Sequence, residues 1–457
     1  MSEGGQEGGS ASAESVLARL RRGLTWSLVG TVANQGSTFL VVLIVANLLG
    51  REQFGRFATI QSTLLTAAAV AQLAMGYTAT KYLAELRSVD PGRAGRVLAL
   101  CGAVAGAMAM LAAAALLFGG DALAASVLHA RTLGPALRLA APAVLFTVLN
   151  GFLAGGLAGL EAYPALGRAW VASGVAYLVV CTGGAWWAGL DGVVAALGAA
   201  AAIQTALLGV VLRHALREHG VPLTLRAIRR EWGVLARFAL PAALSGLVSM
   251  PALWLGNALL VRSAGGFGAM ALFSAANNFR VLVLFLPAIL NGVVLSVMNH
   301  ARGVGERQRY RRVFGMSVGL AGGLVLAGSL VAALCGPTLL RLFGREFPAG
   351  YPTLLVLLGA AVVEALAAAT YGAIQSQERL WLSFFLVAVP RDGLIVLIAY
   401  LLIPQWGALG LAAAYATGWA VALAAVTALV WRIGLGAVPR REAVFAGAPS
   451  MVLEQQT

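Results

Sequence analysis

Three arginines stand where a charge is costly: Arg138, Arg280 and Arg391 lie inside long apolar runs of the sequence. A guanidinium at the centre of a bilayer costs about 2.5–3.5 kcal/mol on insertion scales, so each implies a partner or a task. A permanent cation in a wet membrane cavity suits an anionic ligand, and guanidinium meets phosphate oxygens in bidentate fashion. Two acids share this setting, Glu364 and Asp392. Each is a candidate for an ion pair or for a carboxyl that takes up and releases a coupling proton.

Spacing sharpens these assignments. In the run 269–299, Asn277, Arg280, Pro287 and Asn291 fall within an arc of about 80° at 100° per residue. Arg280 lies about 16 Å along that helix, near mid-membrane. Two readings stay open for it: a charge facing a cavity, or an ion pair with Glu364 of the run 351–374. The run 24–48 carries Ser27, Thr31, Asn34, Gln35 and Thr38 in a stripe about 100° wide. These hydroxyls and amides either wall the same cavity and meet sugar hydroxyls, or bond neighbouring helices at about 0.6 kcal/mol per contact. Arg391 and Asp392 follow Pro390 in the run 381–403. Adjacent residues point about 100° apart on a helix and are not placed to pair with each other, so each is expected to find a partner across helices, or Arg391 to face the cavity. Pro287 and Pro390 can bend their helices. Arg138 is only a few residues inside its run and can snorkel outward.

The elements that must position these residues are spanning helices. The chain is 60% hydrophobic and 11% charged, against about 25% charged in soluble domains. Twelve runs are long enough to cross a bilayer: 24–48, 57–80, 97–119, 133–159, 169–189, 192–212, 238–262, 269–299, 313–336, 351–374, 381–403 and 408–431. The basic residues are one lysine, Lys81, and 31 arginines. Alternate gaps carry only Arg51, Arg56, Arg131, Arg262, Arg341 and Arg345; the other set carries about four times as many, which puts both termini in the cytoplasm. Scattered between runs, the net charge of +14 reads as topology and gives no reason to expect nucleic acid. The organisation expected is a disordered N-tail (1–18), an N-lobe (19–212), a basic linker (213–237), a C-lobe (238–432) and a C-tail (433–457). In the linker, Arg226, Arg229, Arg230 and Arg237 would line one side of a short interfacial helix whose other side, Leu225, Ile228, Trp232 and Leu235, faces lipid.

The two halves resemble each other. Phe54-Gly55 and Phe267-Gly268 follow the first and seventh runs; Gly159-Leu160-Glu161 and Ala373-Ile374-Gln375 follow the fourth and tenth; Gly192 and Gly407 open the sixth and twelfth. The expected fold is therefore all-α and polytopic, with twelve transmembrane helices as two six-helix bundles in a 6+6 parallel repeat, V-shaped about a central cavity. Gly151-x3-Gly155-x3-Gly159 and Gly315-x3-Gly319-x3-Gly323 read as ridges for close packing within one chain, giving no reason to expect more than a monomer.

Much chemistry is excluded. The only lysine precedes Tyr82, so no P-loop exists, and neither His-Glu-x-x-His nor Cys-x-x-Cys occurs. Cys101, Cys181 and Cys335 are scattered among apolar runs, and the four histidines make no ligand spacing. No catalytic residue, metal site or cofactor is expected. No segment repeats as a selectivity filter. What survives is a carrier or, in a different class, a non-transporting scaffold whose cytoplasmic loops carry the binding.

Leu48-Leu49-Gly50-Arg51-Glu52-Gln53-Phe54-Gly55-Arg56-Phe57-Ala58 and Phe343-Gly344-Arg345-Glu346-Phe347 resemble stretches of the polysaccharide (O-antigen, capsule, teichoic acid) flippases of the multidrug/oligosaccharidyl-lipid/polysaccharide exporter superfamily. The resemblance implies that a polyprenyl-pyrophosphate-linked oligosaccharide is flipped across a bacterial inner membrane, with membrane lipids, a polysaccharide polymerase and glycosyltransferases as partners. A cation-coupled drug exporter of the same superfamily is the alternative; it would favour an acidic cavity.

Overall fold

The computed structural model describes residues 7–226, 228–303, 306–377 and 380–434, and no strand occurs among them. In chain order the helices are α1 (Glu7–Gln72), α2 (Met75–Leu86), α3 (Pro91–Ser126), α4 (Gly134–Leu139), α5 (Ala141–Gly159), α6 (Tyr163–Glu218), α7 (Leu240–Val261), α8 (Gly266–Gly303), α9 (Arg307–Leu334), α10 (Gly336–Arg341), α11 (Tyr351–Gln375), α12 (Leu380–Ser383), α13 (Val389–Trp406) and α14 (Ala408–Ile433). Among the described residues, ten helical stretches are long and apolar enough to cross a membrane. Trp186 and Trp187, 79% and 88% exposed, lie at one end of the bundle, and Trp431, 85% exposed, lies at the other. Bare indole at both ends matches the aromatic belts of a bilayer.

Two stretches are too long for one crossing. Leu28–Gln72 has 45 residues and α6 has 56, or about 68 and 84 Å at 1.5 Å per residue, against about 30 Å of hydrocarbon. Each breaks where glycine permits it. Gly50 takes φ 73°, and Gly189 takes φ 58°, ψ −131°, conformations that cost a side-chain-bearing residue steric strain. Gly407, between α13 and α14, takes φ 52°, ψ −125°, so it repeats the turn at Gly189. This corrects the sequence alignment of Gly192 with Gly407: the equivalent positions are Gly189 and Gly407, because the residue at the turn itself must supply the positive φ.

Several sequence expectations change. α1 reaches back to Glu7, into the stretch read as a disordered tail, because Ala11, Ala13, Glu14, Leu17 and Ala18 are good helix formers. The C-tail from 435 onward lies outside the described residues. The run 57–80 is interrupted at Leu73 and Ala74, both with left-handed backbone (φ 42° and 55°). Close packing holds that break: a Cβ at Gly155 would sit 2.2 Å from the carbonyl oxygen of Gly76. Gly155 and Gly159 thus pack on α2 and Gly151 on Gln72 at the end of α1, whereas a Cβ at Gly315, Gly319 or Gly323 would meet nothing within 4 Å among the described residues.

The expected interfacial helix is also absent. α6 continues to Glu218, and the chain then forms a 3-10 turn at Ile228–Glu231 and a π turn at Leu235–Ala239. Pro222 lies against α3, where a Cβ at Gly95 would come within 1.9 Å of its carbonyl oxygen. Glu231 is 6% exposed and accepts from Arg93 Nε at 3.1 Å and Arg96 Nε at 3.5 Å. Phe238 stacks on Tyr77 at 5.5 Å and lies under Lys81 Nζ at 4.1 Å. These tertiary ties to α2 and α3 outweigh the local helical pattern. Leu225 and Trp232 remain exposed, on the side read as lipid-facing; the side chain of Arg237 lies outside the described residues. Glu231→Ala is expected to release the segment, so that trypsin cuts at Arg226, Arg229 and Arg230 about ten-fold faster or more, the equivalent of one to two lost charged hydrogen bonds. Timed digestion of the intact and variant proteins checks it.

Candidate functional site: buried ion pairs and the seam between the halves

α1–α6 pack mainly on one another, as do α7–α14, and the two groups meet chiefly where α1 lies against α7 and α8. The meeting is densest at the end that carries Gly50. There Phe39 contacts Phe279 at 5.7 Å and Phe343 at 6.2 Å, and Phe54 contacts Phe343 and Phe347 at 6.1 and 5.7 Å. Gly55 lies directly on the backbone of Phe267: a Cβ there would be 1.9 Å from its carbonyl oxygen. Arg51 Nε donates to Gly268 O at 3.2 Å, and the Arg56 guanidinium covers the Phe267 ring at 5.3 Å. The Phe-Gly pairs of both halves and the Phe343–Phe347 stretch therefore meet in one place. Further along the seam, Trp254 Nε1 donates to Thr63 Oγ1 at 2.9 Å.

The cores divide along the same axis. At the Gly50 end one continuous core joins both halves, from Val41 and Phe54 through Ala271 and Phe279 to Phe343 and Leu411. At the opposite end there are two: one around Leu83, Leu98 and Leu212 in the first half, and one around Met298, Tyr310 and Val426 in the second. Among the described residues the halves share one core at one end and form separate cores at the other, where the chain leading into α7 still ties to α2 through Phe238; this is the geometry of two bodies joined chiefly at one end.

Within the second half, the intramembrane charges pair. Arg280 on α8 is 8% exposed. Its Nη2 donates to Glu364 Oε2 on α11, and its Nη1 donates to Asn277 Oδ1 at 2.8 Å. Tyr415 of α14 lies 5.3 Å beneath the guanidinium. Burial of both members favours retention of the pair, since removing one partner of such a pair costs about 3–5 kcal/mol. Arg391 on α13 donates from Nε to Asp392 Oδ1 at 2.7 Å and from Nη2 to Ser249 Oγ at 3.1 Å. Ser249 in turn donates to Asp392 Oδ2 at 2.5 Å. Trp419, one turn after Tyr415, supports Arg391 at 4.5 Å. This corrects the expectation that neighbours on a helix do not pair: the arginine side chain is long enough to turn back across 100°, and α7 supplies a hydroxyl that closes the triangle.

Arg138 is half exposed and pairs with Asp121 at 3.3 Å, as its position near a helix end suggests. α1 and α8 do lie side by side, but their contact runs through Phe39 and Phe279, while Asn277 and Arg280 turn toward α11 and α14. Thr31, Asn34, Gln35 and Thr38 are partly exposed on α1, and Thr38 Oγ1 donates to Asn34 O at 2.9 Å; the side chain of Ser27 lies outside the described residues. Asn291 stands apart from the charges, on the wall of a cavity between α8, α9 and α11. Sequence reasoning missed Ser249, Tyr415 and Trp419; the one usable signal was the aromatic pair at i, i+4 on the last run. It also missed the bonds joining Asn150, Gln204 and Thr205 between α5 and α6. Among the described residues, no group of three or more metal-ligating side chains gathers.

Known proteins resemble this chain in sequence and in fold. The family described as "Polysaccharide biosynthesis protein" matches residues 20–298. The EPS I polysaccharide export inner membrane protein EpsE of Ralstonia nicotianae is 27% identical over 376 residues, which covers 79% of this chain and 82% of that protein. An inward-facing multidrug resistance MATE family transporter of the MOP superfamily superposes with a TM-score of 0.73 at 18% identity, covering 91% of this chain and 100% of that one. A MOP superfamily transporter from Pyrococcus furiosus, described for the reverse polarity of its binding pocket, gives 0.69 at 20% identity over 92% of this chain and 96% of that one. At these identities the structural likeness is one of fold.

Proposed function

Because this chain belongs to the polysaccharide biosynthesis protein family, we propose that it moves a polyprenyl-pyrophosphate-linked oligosaccharide across the bacterial inner membrane by alternating access. The observation that carries the reading is the division of the core: joined at the Gly50 end, split at the other. Two bodies clamped at one end enclose a space that opens at the other, and a rocking motion would exchange the ends. The similarity to an inner-membrane polysaccharide export protein supports the cargo class and the membrane.

In this reading the membrane is crossed twelve times. α1 and α6 each cross twice, turning at Gly50 and Gly189, and the repeated turn at Gly407 supports two six-helix units. The even count leaves both termini on one side, and the arginine asymmetry makes that side the cytoplasm. The clamped end is then the outer one. Arg280 and Arg391 are held in buried pairs in this state; the rocking motion would expose them to the cargo, whose pyrophosphate would compete with Glu364 and Asp392, since guanidinium binds either anion in the same planar manner. Asn277, Asn291, Thr31, Asn34, Gln35 and Thr38 offer hydrogen bonds to the glycan, and the lipid tail stays in the bilayer. A cationic drug would need an acid without its own cation, and among the described residues Glu364 and Asp392 each hold an arginine.

The test uses purified full-length protein in vesicles that contain a polyprenyl-pyrophosphate oligosaccharide tagged on its sugar with a fluorophore. Protection of the tag from a membrane-impermeant quencher is expected to change over time only when the protein is present. Vesicles in which the tagged lipid stays put while a lipophilic cation is moved would refute the proposal in favour of drug export.

A further inference from the structure

About 16 Å along α8 from Arg280, a second polar place lies between α8, α9 and α11. The cavity has a volume of about 170 Å³, more than ten times the roughly 10–15 Å³ that one water requires. Asn291 of α8, Ser317 of α9, and Tyr371 and Gln375 of α11 supply its polar wall; Leu295 and Met298 supply an aliphatic one. The Tyr371 hydroxyl is engaged with Ser383 at 3.3 Å. Among the described residues, the side chains of Asn291, Ser317 and Gln375 make no hydrogen bond to protein. Asn291 is half-buried, Ser317 buried and Gln375 exposed at the mouth, so their polar atoms are open to a ligand that enters the cavity.

Its chemistry narrows the occupant. Among the described residues no charged side chain lines the cavity, so the lining offers a phosphate no cation and an organic cation no acid. Amides and a hydroxyl on one side with aliphatic carbon on the other suit a neutral ring that carries hydroxyls on its edge and C–H groups on its face. The space is too small for an oligosaccharide and adequate for one ring. We propose that this cavity is a subsite for a single neutral sugar ring of the cargo, distinct from the arginine pairs that serve its charged end. The proposal rests on the translocation reading above.

Two glycines of α11 provide a clean test. A Cβ at Gly372, on the cavity wall, meets nothing within 4 Å, and the same holds at Gly359, which is exposed and off the cavity. Gly372→Leu therefore fills the space without displacing a neighbour, and Gly359→Leu is its control on the same helix. Full-length protein in lipid nanodiscs is probed by saturation-transfer NMR with methyl glucoside, methyl galactoside and N-acetylglucosamine, with inorganic pyrophosphate as a charged competitor. At least one sugar is expected to receive saturation from the wild-type protein and from Gly359→Leu. That signal falls about ten-fold in Gly372→Leu and Asn291→Leu, the equivalent of one to two hydrogen bonds, and pyrophosphate leaves it unchanged. No transfer to any of the three sugars, or a signal that survives Gly372→Leu, overturns the subsite. The vesicle assay stands separately: wild-type protein that binds sugar but translocates no tagged lipid sinks the translocation reading and not the cavity's ligand class.

Discussion

Arg280→Ala is expected to lose folded protein before it loses anything specific to transport. The substitution leaves the Glu364 carboxylate in a largely dry interface without its guanidinium, and it strips Asn277 of its donor. Removing one member of such a pair costs about 3–5 kcal/mol, a large part of a net stability of about 5–15 kcal/mol. Glu364→Gln should do comparable damage by stranding the cation. The double substitution Arg280→Gln/Glu364→Gln removes both charges and leaves two amides able to bond each other, so most of the lost stability should return. Thermal unfolding of the wild type, Arg280→Gln, Glu364→Gln and the double variant in one detergent gives the coupling, expected at up to about 3 kcal/mol. Transport by the double variant then separates the two roles. If Arg280 meets the pyrophosphate, the folded double variant should translocate at least about ten-fold more slowly, the loss of one charged contact. A folded double variant that translocates at the wild-type rate removes Arg280 from the cargo path and leaves it a packing element.

Gly55→Val is expected to open the clamp. A Cβ at this position meets the Phe267 carbonyl oxygen at 1.9 Å and its carbon at 2.6 Å. Backbone cannot rotate away as a flexible side chain can, so the two halves must part. Overpacking of this kind costs about 1–3 kcal/mol, and here the cost falls on the state in which the halves touch. Every 1.4 kcal/mol is tenfold in an equilibrium, so the joined state should be depleted by about five- to a hundred-fold. Gly36→Val, where nothing lies within 4 Å, is the control. Spin labels at Arg131 and Arg345, both exposed at the Gly50 end and in different halves, read the change by electron–electron resonance, after the exposed Cys335 is replaced by serine. A longer distance in Gly55→Val and none in Gly36→Val is the expected outcome. Unchanged distances in both would mean that this contact does not hold the halves together.

The ion pairs and the clamp differ in how far the sequence reveals them. Arg280, Glu364, Arg391 and Asp392 could be picked from the sequence, because a charge inside twenty apolar residues is conspicuous whatever surrounds it. Their pairing could not. Glu364 was one of two readings for Arg280, and the Arg391–Asp392 contact contradicts simple angular placement, because Cβ directions alone ignore the six further atoms of an arginine side chain. The clamp was half legible. Phe54-Gly55, Phe267-Gly268 and Phe343–Phe347 stood out as motifs next to helix ends, yet the contact of the first with the other two joins segments more than two hundred residues apart. The linker fared worst. Its amphipathic pattern suggested a helix, while Pro222 against Gly95 and Glu231 between Arg93 and Arg96 hold it in another shape.

By itself, then, the sequence determined what bulk transfer energies dictate: a bilayer as solvent, helices as the spanning element, and the asymmetry of arginines between their ends. Those are sums over neighbours in the chain, and they are large. Only the tertiary structure decided which charges neutralise one another, that α1 and α8 meet through rings instead of amides, that the core is single at one end and double at the other, and that Asn291 belongs to a neutral cavity away from the arginines. These are matters of a few ångströms between side chains on different helices, each worth a few kcal/mol, and no periodicity along one chain segment encodes the distance to another.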